Sequence, residues 1–459
     1  MTSCGVADKR TDSSEVLEAL FDRYGRHSRA IPVNFREMVD WVSAGERATH
    51  YVHPYPAKLL RQIPVFFLAN RTLSEPGDTV LDPSCGSGTV LLESVLHGRN
   101  GIGADANPLA QLIAKVKVTH LSPDLTTVRL NQVLSNGKSY ATADVPTVVN
   151  LNYWFYPHVI GQLARLRRAI ESLDIERERE FFRVCFSACV RRVSLADPRV
   201  AVPVRLRKDQ YACDHALHEP TKQHLAGLRR QDVFSTFESI ANANISRLRE
   251  LISLRTTDAR ASITSVDARN LRDPKTDGRR LRTGSVDLVI TSPPYLGAQK
   301  YVRASSLSLG WLGVNEFSTL RQLEDQNIGR EHFPRREILS LPTTGLPEAE
   351  RRIGQIFKLN PLRALIAATY LVEMTAAFAE AARVLRPGGH MVLVAANNTV
   401  CGREFMTQRY LQQILEGLGL KTRLRLVDAI KSRGLMTRRN ATASVITREW
   451  VLVLQKPMA

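Results

Sequence analysis

The chain has no run of 18 or more apolar residues, the length a membrane-spanning helix needs, so no membrane partner is expected. Residues 1–22 are polar and charged and lack the apolar core of a secretory signal. Cysteine is scarce, with six in 459 residues. That is too few for a disulfide framework and fits a reducing cytoplasm. Neither an internal repeat nor a low-complexity tract is visible, which sets repeat architectures aside. Negative charge is also short. There are 45 Asp and Glu against 63 Lys and Arg, a formal net charge of +18. Such a surface steers polyanions toward itself and gains from counterion release, so nucleic acid is the expected partner.

What is present is enough chain for two to three domain-sized units. Residues 1–50 read as an N-terminal arm with a short helix near 16–24. Residues 51–70 read as a turn feeding a helix, because two prolines can open a helix but not sit inside one. After the turn signal at 75–78 come a short buried strand (79–82), a loop (83–89), a helix (90–97), a second strand (101–105) and a helix opening at Asn107-Pro108. That β-loop-α-β-α order predicts a parallel sheet with crossover helices in 51–120. The pattern stops over 121–260, where Arg-rich helical segments (159–172, 176–194, 234–254) predict an inserted, mainly helical domain. It resumes in 261–459 with strands at 261–267 and 286–290, and a polar stretch at about 317–360 interrupts it. A helix (364–385), a turn at 386–389, a strand (390–395), a helix (404–416) and strands at 420–429 and 449–455 complete it.

Two constellations carry chemistry. The first is Asp82-Pro83-Ser84-Cys85-Gly86-Ser87-Gly88-Thr89 between a strand and a helix. Gly86 and Gly88 allow positive φ and close backbone approach, and the helix behind offers free N–H groups. Asp105 ends the next strand, 23 residues after Asp82. A carboxylate at that spacing suits the two hydroxyls of a ribose, so the pair points to an adenosine cofactor. The third glycine of the dinucleotide fingerprint is missing, since Leu91 stands there, which argues against NAD or FAD. The second constellation is Thr291-Ser292-Pro293-Pro294-Tyr295, directly after a strand. The prolines fix the backbone and remove two donors, leaving carbonyl acceptors. Ser292 adds an acceptor and Tyr295 an aromatic face, a set that suits a planar ring bearing an NH2 group.

Together these segments resemble the DNA amino-methyltransferases that modify N4 of cytosine or N6 of adenine. His53-Pro54-Tyr55-Pro56-Ala57-Lys58 resembles the element that family places before its cofactor loop. The resemblance covers roughly residues 50–115 and 261–300 well, and 364–455 by pattern only. It implies an α/β fold, a Rossmann-like seven-stranded methyltransferase sheet with a largely helical inserted domain. It implies S-adenosylmethionine as cofactor and double-stranded DNA as partner, with no metal. The implied cofactor-binding set is Asp82, Ser84, Gly86, Gly88, Thr89, Asp105 and Asp267. Within it Asp82, Gly86 and Gly88 line the methionine part, Asp105 holds the ribose and Asp267 meets the adenine amino group. The family usually carries Phe where this chain has Ser84. The implied catalytic set is Ser292, Pro293, Pro294 and Tyr295. Ser292 and the Pro293 carbonyl accept from the target amine, and Tyr295 stacks on a base flipped from the duplex. Ser rather than Asp at the first position leans toward N4-cytosine, with N6-adenine the alternative.

Other signals are weaker. Cys185 and Cys189, followed by Cys213, His215 and His218, do not have zinc-finger spacing, and buried small residues on a helix face are the expected reading. A covalent C5-cytosine route needs a Pro-Cys after the fourth strand, where this chain has Ser292-Pro293. Arg191, Arg192, Arg205, Arg207 and Lys208 are the expected DNA contacts of the insert, and 330–336 is a second basic candidate. The expected enzyme is a site-specific modification methyltransferase, solitary or paired with a cognate restriction endonuclease. An RNA base methyltransferase, a protein-glutamine methyltransferase and a non-catalytic DNA-binding subunit are the rivals.

Overall fold

The computed structural model describes residues 12–42, 47–56, 58–273, 276, 278–297, 301–314, 319–430 and 446–458. Ala57, parts of the N-terminal arm (1–11, 43–46) and the first residues of the polar stretch (317–318) lie outside them. In chain order the strands are β1 (Ile31–Val33), β2 (Thr79–Asp82), β3 (Asn100–Ala104), β4 (Ala261–Ser265), β5 (Val286–Thr291), β6 (Leu385–Ala395), β7 (Asn398–Val400), β8 (Arg403–Phe405), β9 (Lys421–Ala429) and β10 (Arg448–Gln455). Eight of them form one sheet in the order β1-β9-β10-β6-β5-β2-β3-β4, and β7 and β8 form a separate hairpin.

Strands β2 to β6 pair in parallel, and β10 runs antiparallel between β6 and β9. This is the Rossmann-like methyltransferase order. Seven strands were expected, and the eighth is β1, paired in parallel with β9 at the sheet edge. Its three residues, Ile-Pro-Val, are too short to show a period, and Pro32 is tolerated because an edge strand does not need every N–H.

Side-chain alternation explains why the central strands read as continuous apolar runs. Leu81, Val289, Met391, Leu393 and Leu452 face one buried cluster with the helices Pro361–Val384 and Thr407–Gly417. Val80, Leu288, Ile290, Val392 and Val451 face another with the helix Gln62–Leu68. Both faces of the sheet are therefore covered. The helix Pro361–Val384 is long and apolar enough to cross a membrane. Here Ala364, Leu371, Met374 and Phe378 are buried in the first cluster.

The block 121–260 is helical, with its main helices at Pro123–Ser139, Pro157–Glu171, Glu176–Arg192, His218–Leu228 and Val233–Leu254. Ser122 and Asp232 cap two of them by accepting from Leu125 and Ser235 backbone N–H groups. Leu195, Leu206, Leu225 and Leu228 form a small cluster within the block, and most of its core is shared. Phe181, Phe182, Phe186 and Phe237 share one cluster with Val52, Tyr55, Leu109 and Ile113 from the preceding segment and with Leu307 and Trp311 further on. The main cluster thus runs across the boundaries at 120 and 260.

Chain order reverses between β2 and β5, so the loops leaving their carboxyl ends part in opposite directions. A crevice at such a switch point is where this kind of sheet binds ligands. The loop after β2 is tightly backed. Gly88 has φ +77, and a Cβ there would lie 2.9 Å from Ala114 Cβ on the helix Pro108–Val118. Gly88→Ala should lower the unfolding free energy by about 2 kcal/mol or more, from left-handed strain and overpacking. Urea denaturation measures this, and an unchanged midpoint would mean that the two helices can part without cost.

Candidate active site

A cleft at the switch point encloses about 650 Å³, open mouth included. The loop after β2 supplies Ser84 and Gly86, the end of β3 Asp105, the end of β4 Asp267, and the turn after β5 Ser292 and Pro294. Tyr55, Tyr301, Gln326, Asn327 and Ile328 complete the wall.

Asp105 is held at both ends. Gly86 N–H donates to Oδ2 at 2.9 Å, and Asn107 N–H to Oδ1 at 2.8 Å. Each oxygen keeps lone-pair capacity for a ligand. Burial pushes its pKa up to about 6, against the pull of those two N–H groups. Asp82 is buried beneath the loop and is not on the cleft wall. Its Oδ1 accepts from Ser84 N–H at 3.1 Å and from Thr291 Oγ1 at 2.8 Å. Burial pushes it up to about 7. Gly88 and Thr89 also stand behind the wall, Gly88 against Ala114 and Thr89 buried at the helix start. Asp82, Gly88 and Thr89 thus back the loop whose Ser84 and Gly86 reach the cleft.

Pro293 is buried, while Ser292 and Pro294 reach the cleft. Tyr295 is half-buried, and its hydroxyl donates to Glu449 Oε1 at 3.0 Å, which ties the Pro-Pro turn to β10. Cys85 is buried, and burial pushes its thiol well above the usual range, leaving it inert.

Asp267 opens a chain of charges. Arg269 Nε donates to Asp267 Oδ1 at 2.8 Å, Arg269 Nη2 to the Gln326 carbonyl at 3.2 Å, and Arg269 Nη1 lies 3.3 Å from Glu373 Oε1. Arg330 also pairs with Glu373 and stands 4.7 Å from the Phe333 ring centroid. Glu373 thus clamps the segment bearing Gln326, Asn327 and Ile328 to the end of β4. Arg330 serves that clamp, while Arg335 and Arg336 are exposed. Sequence reasoning missed this segment, because short polar residues in a charged stretch look like a solvated loop.

Tyr55 comes from the segment 53–58. Lys58 Nζ donates to the carbonyls of His50 and His53 at 3.1 and 2.8 Å and closes the turn. Asn107 Nδ2 then donates to Tyr55 Oη and to Ser305 Oγ, both at 3.1 Å.

The basic residues of the helical block divide. Arg191 is half-buried and donates to the carbonyls of Asp197 and Val200, at 2.8 and 2.6 Å. Arg205 lies 4.6 Å from the Tyr153 ring centroid and donates to the Tyr153 carbonyl. Both guanidinium groups support the local fold. Arg192, Arg207 and Lys208 are exposed. Cys185 and Cys189 are buried, and Cys213 is exposed. Among the described residues no group of three His, Cys, Asp or Glu could hold a metal.

No protein-family profile matches the chain. The chain is 25% identical over 369 residues to the Type II methyltransferase M.MvaI of Kocuria varians, which covers 77% of each protein. It is 40% identical over 81 residues to the Type II methyltransferase M.MjaII of Methanocaldococcus jannaschii, covering 17% of this chain and 15% of that one. A solved SAM-dependent methyltransferase from Methanosarcina mazei covers 84% of this chain and 95% of that one at 11% identity, with a TM-score of 0.30. An overlap that loose carries no weight here.

Asp82 makes stability depend on pH. Folding raises its pKa from 3.8 to about 7, so the native state binds the proton more tightly. That contribution is fully present below 3.8 and is lost as pH rises through 7. Asp82→Asn keeps an acceptor and cannot ionise. Urea unfolding across this window should show a shallower fall of stability with pH for the variant, and parallel curves would remove Asp82 as the titrating group.

Proposed function

We propose that the chain is an S-adenosylmethionine-dependent DNA methyltransferase acting on the exocyclic N4 amino group of cytosine. The observation that carries this is the meeting of Gly86 and Asp105 with Ser292 and Pro294 in one cleft, made by segments far apart in the chain. The similarity to M.MvaI along most of both chains supports DNA as substrate. Seating in a restriction-modification pair, with a cognate endonuclease and a cytoplasmic location, belongs to the same proposal.

The residues fit the cofactor. A Cβ added at Gly86 meets nothing within 4 Å, so the loop leaves room at the wall. Asp105, fixed by two backbone donors, presents its remaining lone pairs to a ribose diol. Asp267, held by Arg269, faces the same cleft for an adenine amino group, with Asn327 and Ile328 beside it. When bound, S-adenosylmethionine supplies an electrophilic methyl group on a sulfonium.

An exocyclic base nitrogen is a weak nucleophile because its lone pair is delocalised into the ring. Ser292 Oγ and the Pro293 carbonyl accept its two N–H bonds and draw it toward a pyramidal shape, which frees that pair for in-line attack. The same acceptors stabilise the positive charge that develops on nitrogen. After transfer the surplus proton leaves to water. Tyr295 holds the base in plane for that geometry, and its bond to Glu449 fixes the ring. Ser292 in place of an acid favours cytosine in this reading, since the site relies on dipoles and not on a carboxylate.

The test is incubation with labelled S-adenosylmethionine and mixed-sequence DNA, followed by digestion to nucleosides and mass analysis. N4-methylcytosine is expected. N6-methyladenine would keep the mechanism and change the base, and label in RNA or protein alone would overturn the substrate. Absence of cofactor binding would favour a non-catalytic DNA-binding subunit. Tyr295→Ala should cut methyl transfer by a hundredfold or so, a ~2.7 kcal/mol loss of positioning, with cofactor affinity kept.

Glu373 acts on the cofactor through others. Glu373→Gln should weaken S-adenosylmethionine binding by about 1.5 kcal/mol, the scale of one charged hydrogen bond, and Glu373→Asp by less. Titration calorimetry reads this, and equal dissociation constants would confine Glu373 to a structural role.

A further inference from the structure

Tyr55 is only 6% exposed, yet it lines the cofactor cleft. A phenol that deep needs a partner for its proton as well as for its lone pairs. The bonds around it satisfy the second need and leave the first open.

Asn107 decides this. It is buried and caps the helix Pro108–Val118, with Oδ1 accepting from Leu109 N–H at 3.0 Å. That bond fixes which end of the amide is oxygen. Nδ2 is therefore the atom that stands 3.1 Å from Tyr55 Oη. An amide nitrogen only donates, so the Tyr55 oxygen accepts there and its own proton must point elsewhere. The second acceptor of Nδ2 is Ser305 Oγ, which gives its proton to the Tyr301 carbonyl at 3.1 Å. Among the described residues the Tyr55 proton meets no acceptor. Burial and the nearby Asp105 charge raise the phenol well above its usual range, so the proton stays on.

Asn107 also arms the acceptor beside Tyr55. Its backbone N–H donates to Asp105 Oδ1 at 2.8 Å. One buried residue thus orients a carboxylate acceptor and a hydroxyl donor, both on the wall of one cleft. A vicinal diol is complementary to such a pair. Its protons go to the carboxylate, and its oxygens keep lone pairs for a donor. We propose that Tyr55 donates its hydroxyl proton to a ribose oxygen of the bound cofactor, with Asn107 as the positioning residue for both Tyr55 and Asp105. A ligand without that oxygen leaves a buried donor unmet, so the site selects for the intact ribose. The inference rests on the cofactor reading above and is independent of which base or polymer is methylated.

The test uses the full chain and S-adenosylhomocysteine, which carries the same ribose and has no methyl group to transfer. It is titrated calorimetrically into the wild type and Tyr55→Phe, alongside its 2′-deoxy and 3′-deoxy forms. Tyr55→Phe should bind S-adenosylhomocysteine about tenfold more weakly, the scale of one neutral hydrogen bond. Against one deoxy form, the one lacking the oxygen that Tyr55 meets, variant and wild type should agree within about twofold. Against the other the loss should persist. Equal affinity of the two proteins for S-adenosylhomocysteine would overturn the assignment. So would the same loss against all three ligands, the pattern that a merely structural role gives. Should Tyr55→Phe not fold, Asn107→Asp takes its place. It keeps the acceptor for Leu109 N–H and offers Tyr55 a carboxylate, which draws the proton inward. Its loss should again be smaller against one deoxy form than against the other, and a uniform loss would overturn the assignment. Failure of the wild type to bind S-adenosylhomocysteine would overturn it together with the cofactor reading.

Discussion

One buried hydrogen bond joins the two halves of the site. Thr291 Oγ1 donates to Asp82 Oδ1 at 2.8 Å, across 209 residues of sequence. The β2–β5 ladder itself pairs only Val80 with Leu288 and Leu81 with Val289. The side-chain bond extends that pairing to the carboxyl ends of the strands, where the glycine loop and the Pro-Pro turn diverge. Without it, the loop bearing Gly86 and the turn bearing Ser292 would be anchored separately. A buried carboxylate is costly, and here Ser84 N–H and the Thr291 hydroxyl offset the loss of water.

The cleft is electrostatically tense in a way that suits its proposed ligand. Burial raises both Asp82 and Asp105, so both carboxyl groups resist ionisation in the free protein. A nearby cation reverses that preference. Around them the charges are paired outward, with Asp267 on Arg269 and Arg269 on Glu373. The wall is thereby fixed before any ligand arrives, which keeps reorganisation small.

The parts that could be read in advance are local. Strand, glycine loop and helix all fall between Thr79 and Leu96, and the Pro-Pro turn declares itself next to an apolar strand. Asp105 and Asp267 are found because they end strands. What could not be read depends on distant partners. β1 is a strand because β9 lies beside it, and its own three residues have no period. Gln326 to Ile328 belong to the cleft because Glu373, on a different helix, holds Arg330 and Arg269. Arg191 and Arg205 look like surface cations in sequence, and only the carbonyls and the ring they meet show otherwise. Tyr55 sits in a segment noticed for its prolines, yet its place on the wall depends on Asn107 and Ser305.

The helical block and the helix Pro108–Val118 share the cluster in which Phe182 and Phe237 lie with Leu109 and Ile113. That continuity limits how such a protein can diversify. Exchanging the block wholesale with that of a relative would leave the apolar face of the helix Pro108–Val118 mismatched, and this helix begins two residues after the cleft's own Ala106. Changes to this block must therefore keep the apolar residues that it shares with that helix.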